Sequence, residues 1–130
     1  MATKRMIRVN ELLKREIVDV LYRRIHDEDM DMAAVTITEV ITSPDLRQAR
    51  VLVSIRGHHE DRNSYLGVLN RNHKIFQREL NRATKLKYTP HLTFELDPSI
   101  ERGDRVLRII EEMERENPAE EAPDEPDTEN

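Results

Sequence analysis

Two neighbouring stretches of the chain, residues 35–41 and 49–55, alternate apolar with polar side chains, and this pattern restricts the fold more than any other feature. Val35-Thr36-Ile37-Thr38 is rich in β-branched residues and runs on into Val40-Ile41. In the second stretch Ala49, Val51, Val53 and Ile55 fall on one side, and Arg50, Leu52 and Ser54 on the other. Each reads as a strand with one buried face. Ser43-Pro44-Asp45 between them is a turn signal, and so short a link favours antiparallel pairing. A two-stranded ribbon is not stable alone in water. The rest of the chain must therefore cover its apolar face.

The flanking segments change period. Over about 5–26, Met6, Val9, Leu13, Ile17, Val20 and Leu21 fall on one stripe at about 100° per residue, which predicts a helix. Residues 27–32 form an acidic connection and 57–63 a polar loop. A long helix is predicted over 62–86, with Tyr65, Leu66, Leu69, Phe76, Leu80 and Ala83 on its apolar face. It is expected to bend or break near Asn72-His73-Lys74. The apolar stripe thins there, and the Asn side chain competes for backbone hydrogen bonds. Tyr88-Thr89-Pro90 ends the helical region. Leu92, Phe94 and Leu96 then give a third strand over 91–97, and Asp97-Pro98-Ser99 starts a last helix. That helix, over 99–114, is expected to bury Val106, Leu107, Ile110 and Met113. The order α-β-β-α-β-α specifies an α+β domain: a three-stranded sheet with helices on one face, plus a C-terminal helix. Its first five elements follow the type II KH-like order.

Length allows one domain, expected over 1–114. Residues 115–130 hold seven acids against Arg115 alone, with three of the six prolines, and read as a disordered acidic tail. The net charge of −5 resides there, because the remainder has 20 basic and 19 acidic residues. The absence of Cys excludes disulfides and thiolate metal sites and suits a reducing cytoplasm. No apolar stretch suggests a signal peptide or membrane span.

The most informative functional pattern is on the long helix. Arg71, Lys74, Arg78, Arg82 and Lys85 are spaced to share one face, Lys87 extends it, and Glu79 is the one acid between 71 and 87. Like charges at i,i+4 repel, and a phosphate backbone relieves that repulsion. Ordinary solvated helix faces mix signs, as the first helix does. Lys4, Arg5 and Arg8 form a second basic cluster, significant if the fold brings it to the first. The three glycines offer no Gly-x-x-Gly phosphate clamp. Few aromatic residues are present, which favours backbone and shape recognition over base reading. His58-His59-Glu60-Asp61 reads as a polar loop, and no nucleophile motif or phosphate loop is present, so no enzyme activity, metal or cofactor is expected.

Three segments resemble the bacterial ribosome-binding factor A family over about residues 4–114. They are Arg8-Val9-Asn10-Glu11-Leu12-Leu13-Lys14-Arg15-Glu16-Ile17, then Val35 to Val40 with Ser43-Pro44-Asp45-Leu46-Arg47-Gln48-Ala49-Arg50-Val51, and Leu86-Lys87-Tyr88-Thr89-Pro90-His91-Leu92-Thr93-Phe94. The resemblance implies a KH-like fold lacking the Gly clamp and no enzymatic activity. It implies a cytoplasmic, monomeric factor that binds the immature small (30S) subunit and its 16S rRNA and assists late rRNA processing. It further implies a link to growth in the cold and release aided by a ribosome-dependent GTPase. Where family members often carry Ala-x-Gly at the helix kink, this chain has Asn72-His73-Lys74. The alternatives are a protein-interaction adaptor, an RNA-binding module not tied to the ribosome, and a small hydrolase. Truncation after Glu114 is expected to leave the melting temperature nearly unchanged. RNA affinity should stay equal or rise slightly at low salt, where screening of the acidic segment is weak; a large loss of stability would show that the tail docks on the domain.

Overall fold

The first amphipathic stripe forms helix α1 (Lys4–Arg24), opened by the Thr3 hydroxyl, which accepts the Met6 N–H at 3.1 Å. Its buried face carries Val9, Leu13, Ile17, Val20 and Leu21, and Met6 is half-buried. A 3-10 turn (Met32–Ala34) leads into strand β1 (Val35–Thr42), which pairs antiparallel with β2 (Gln48–Ile55). This is a computed structural model describing residues 3–116, without the side chains of residues 100, 101 and 104. The acidic segment therefore lies, from residue 117 onward, outside the described residues. The chain divides into two units, 1–97 and 98–130.

The β1–β2 register shifts between Ile37 and Glu39, making Thr38 the extra residue of a bulge. The Thr38 hydroxyl is satisfied all the same, 2.7 Å from an Asp97 carboxylate oxygen and 3.1 Å from the Leu52 carbonyl. Leu52, expected on the polar face of its strand, is buried. Strand β3 (His91–Leu96) lies parallel to β2, giving the order β1-β2-β3. A parallel neighbour requires a crossover connection, supplied by helices α2 (Arg62–Arg71) and α3 (His73–Ala83). Their buried residues Tyr65, Val68, Leu69, Phe76 and Leu80 complete the core, with the Phe76 and Phe94 rings 4.9 Å apart.

Both outer strands receive hydrogen bonds from helix side chains. The Asn70 amide accepts the Phe94 N–H at 3.0 Å and donates to the Phe94 carbonyl at 3.2 Å, while the Gln77 carbonyl oxygen accepts the Leu92 N–H at 3.4 Å. On β1, Asn10 accepts both the amide and the hydroxyl of Thr42, and the Tyr22 hydroxyl donates to the Val35 carbonyl.

The long helical region is broken at Asn72, as its sequence suggests. Asn72 has φ −91 and ψ 17, outside the helical well. Its side chain donates to the Val68 carbonyl at 2.7 Å, and the His73 ring lies 3.0 Å from the Asn70 carbonyl. The Val68 carbonyl thus serves both the backbone N–H and the side chain of Asn72, the His73 ring meets the Asn70 carbonyl that the Lys74 amide would use in a continuous helix, and α3 restarts as Ile75 and Phe76 donate to the Asn72 carbonyl. The helix also ends earlier than expected, at Ala83. The Thr84 amide and hydroxyl both bond the Leu80 carbonyl, and the backbone turns extended at Thr84. Ala83 is exposed and not part of the apolar face.

Helix α4 (Pro98–Glu116) forms, but the expected burial of Val106, Leu107, Ile110 and Met113 is corrected: all four are exposed, as is Ile109. Amphipathic spacing records that one face is apolar; it does not ensure that the same chain supplies a cover.

Asn70→Ala strips both groups from the β3 edge and leaves part-buried backbone polar groups without partners. The expected loss is about 1–3 kcal/mol, measured as a shift in the urea midpoint at unchanged slope; an unchanged midpoint would mean that water replaces the amide fully.

Candidate nucleic-acid interface

Helix α3 repeats a cation every fourth residue. Lys74, Arg78 and Arg82 are exposed on the side opposite buried Phe76 and Leu80. Repetition at this spacing puts the three charges on one face. The break and the early helix end redistribute the other expected members. Arg71 closes α2, on the far side of Asn72, and Lys85 and Lys87 follow α3 in non-helical chain, so the stripe is not one continuous helical row. All three remain exposed.

Two arginines that the linear pattern does not reveal stand beside this row. Arg23 and Arg24, in the last turn of α1, reach Glu79 of α3 at 3.3 and 3.2 Å, and Arg82 lies 3.9 Å from the same carboxylate. The Glu79 side chain is 9% exposed, against 49% for Arg23 and 40% for Arg24. The acid is thus largely enclosed while the cations facing it remain open to solvent. Glu79 does not dilute the positive face so much as anchor it. Asp19 and then Glu79 hold the Arg23 guanidinium above its ordinary pKa. The available signal was the Arg23-Arg24 pair ending an amphipathic helix, together with one acid in an otherwise basic helix.

Lys4, Arg5 and Arg8 occupy the first turns of α1, exposed. Arg5 alone of them joins the other basic group: with Lys87 and Tyr88 it lines a cleft of about 190 Å³, closed by Pro44, Asp45, Leu46 and Leu86. The β1–β2 turn and the segment entering β3 meet here because the Arg47 carbonyl accepts the His91 N–H at 2.8 Å. The Arg47 guanidinium and the Lys87 ammonium lie 4.9 and 5.5 Å from the centre of the Tyr88 ring. Asp45 is held below the usual carboxylate range by the Ser43 hydroxyl and the Arg47 N–H. This turn is consequently strongest with Asp45 charged, above the unfolded carboxylate value, and loosens as pH falls through the lower folded value.

The histidine-rich loop holds a different arrangement. His58, with a positive φ of 51, lies 3.1 Å from Asp31 and stacks obliquely near Tyr65. Among the described residues no group of His, Cys, Asp and Glu is placed to hold a metal ion, and no helix is long and apolar enough to cross a membrane.

A family model described as ribosome-binding factor A matches residues 5–110. The ribosome-binding factor A of Opitutus terrae is 39% identical over 116 residues, which cover 89% of this chain and 93% of that one. The crystal structure of ribosome-binding factor A from Thermus thermophilus is similar with a TM-score of 0.60 at 22% identity, over 70% of this chain and 93% of that one. A homology model of the Thermus thermophilus factor, fitted into a cryo-EM map of its 30S complex, is similar with a TM-score of 0.52 at 20% identity, over 66% of this chain and 88% of that one. At these identities the two structures speak for the fold alone.

Glu79→Gln should lower stability by about 1–2 kcal/mol, between the worth of an exposed and a buried ion pair. The helix α1–α3 junction should become more sensitive to proteolysis, because Arg23, Arg24 and Arg82 lose the charge between them. Full retention of the melting temperature would show that the arginines are indifferent to Glu79.

Proposed function

This chain belongs to the ribosome-binding factor A family, and from that premise we propose that it binds the immature small ribosomal subunit through the phosphate backbone of 16S rRNA. The observation that carries the proposal is the exposed row Lys74, Arg78 and Arg82 on α3, flanked by Arg23 and Arg24. Backbone recognition needs a rigid surface with point charges and forked guanidinium donors. Helix α3 supplies the rigidity through Phe76 and Leu80, and the arginines supply the donors. Arg71, Lys85 and Lys87 extend contact beyond the helix, and Lys4, Arg5 and Arg8 add a second point of attachment. Each cation that displaces condensed counterions steepens the salt dependence of binding.

In this reading the protein is a cytoplasmic, monomeric assembly factor without enzymatic activity. It holds late precursor rRNA in a conformation that processing enzymes accept, matters most in the cold, where misfolded RNA is slow to rearrange, and departs with the help of a ribosome-dependent GTPase. An adaptor using an open sheet edge is less well supported, because Asn10, Tyr22, Asn70 and Gln77 occupy backbone groups on the two outer strands.

The test reverses Arg78 and Arg82 to Glu. Both side chains are exposed, so the variant should fold. Its affinity for purified precursor small subunits should fall at least tenfold, about 1.4 kcal/mol, with a shallower dependence on salt. Binding like that of the unmodified chain would overturn the assignment of this face.

A further inference from the structure

Phosphate recognition through cations has no use for an exposed aromatic ring, yet Tyr88 provides one beside Arg5 and Lys87. Tyr88 is 50% exposed, and no hydrogen bond ties its hydroxyl to a described residue. Tyr22 is equally exposed, but its hydroxyl is committed to the Val35 carbonyl at 2.7 Å. The cleft beside Tyr88, about 190 Å³, is smaller than the pockets of about 300 Å³ and more that enclose drug-sized ligands. It suits a single planar ring. Its walls combine the apolar Pro44, Leu46 and Leu86 with the cations Arg5 and Lys87 and with Asp45, whose carboxylate is committed to the Ser43 hydroxyl and the Arg47 N–H.

The wall nearest the turn is built at a cost. Leu46 has φ 61, left-handed backbone that favours glycine. Its N–H donates to the Ser43 carbonyl at 2.8 Å, and Asp45 accepts the Ser43 hydroxyl at 2.7 Å and the Arg47 N–H at 3.0 Å. These bonds keep Leu46 in the strained conformation and aim the chain so that Arg47 reaches the ring.

We propose that this cleft receives one unpaired nucleobase of single-stranded RNA, stacked on Tyr88, with the phosphate of that nucleotide held by Arg5 and Lys87. The inference rests on the RNA-binding reading above and specifies the state of the RNA that the protein selects. In the free protein the Lys87 ammonium lies over the ring. An exposed cation–π contact is weaker than stacking of a base on an aromatic side chain. The base takes the place of the ammonium, which swings on its flexible stem to the phosphate, while Arg47 stays against the ring. Stacking is tolerant of base identity, because every base has a π face. A duplex keeps its bases stacked inside and cannot offer one. An acidic peptide would satisfy the cations and leave the ring unused. The cleft thus adds to a general affinity for RNA a preference for strands that have not yet paired.

The experiment titrates the full chain with a fluorescently labelled oligoadenylate and, separately, with an RNA duplex of equal length. Tyr88→Ala should weaken oligoadenylate binding about tenfold while leaving duplex binding and the melting temperature unchanged, and Tyr88→Phe should behave as the unmodified protein. Resistance of the oligoadenylate complex to inorganic phosphate would support the base contact; complete displacement by phosphate would show that the cations alone bind, and would overturn it. Undiminished oligoadenylate binding by Tyr88→Ala, or an equal loss on both RNAs, would also overturn it. A chain that binds precursor small subunits but not oligoadenylate refutes this inference alone. A chain that binds neither refutes the functional reading beneath it.

Discussion

The side-chain amide of Asn70 links two parts of the structure that otherwise have no reason to agree. It bonds both backbone groups of Phe94 on the outer strand, while the backbone carbonyl of the same residue faces the His73 ring at the break between helices. A parallel third strand needs a crossover, and a crossover of two short helices needs a fixed point on the sheet. Asn70 is that point. With it fixed, α2 stops at Arg71, α3 begins beyond Asn72, and Phe76 comes to rest against Phe94. The cationic face is the outward side of the helix so placed.

Electrostatics then refines what packing has positioned. A row of like charges would spread if nothing opposed it. Glu79, almost enclosed, draws Arg23 and Arg24 from the end of α1 against α3, so positive charge from two helices is gathered around one buried acid. Their placement in the last turn of α1 also suits the helix dipole. Elsewhere the charges pair conventionally across the sheet: Arg50 forks onto Glu95 of the neighbouring strand, and that carboxylate holds the guanidinium above its ordinary pKa.

The strands and α1 were legible because their hydrophobic periods are distinct, and so was the helix break, because Asn competes for carbonyls wherever it stands. The end of α3 was not legible. Arg82, Ala83 and Lys85 are compatible with continued helix, and only the double bond from Thr84 to Leu80 decides otherwise. The exposure of the apolar side of α4 is not legible either, because periodicity carries no information about what lies opposite. The basic residues on α3 could be read from spacing alone. Arg23, Arg24 and Arg47 could not, since their relevance depends on contacts between segments far apart in sequence. The few aromatic residues pointed away from base contact, and the count was sound, but it could not show that one ring would stand at the mouth of a cleft. Two segments that carry the family resemblance, the β1–β2 turn and the approach to β3, prove to be the two halves of that cleft.

Their meeting also sets an order of assembly for the chain itself. Strands β1 and β2 pair across a short turn, but β2 and β3 join residues more than forty positions apart. Contacts of such separation bear the entropy of closing a long loop and form after local ones. Sequence separation therefore favours a hairpin backed by α1 ahead of the complete sheet, with the bond from His91 to Arg47 among the long-range contacts expected late. Helix α3 can display its cations as soon as it coils, whereas the Tyr88 cleft comes into being with the final strand. A partly folded chain therefore exposes its cationic helix before the cleft around Tyr88 exists to accompany it.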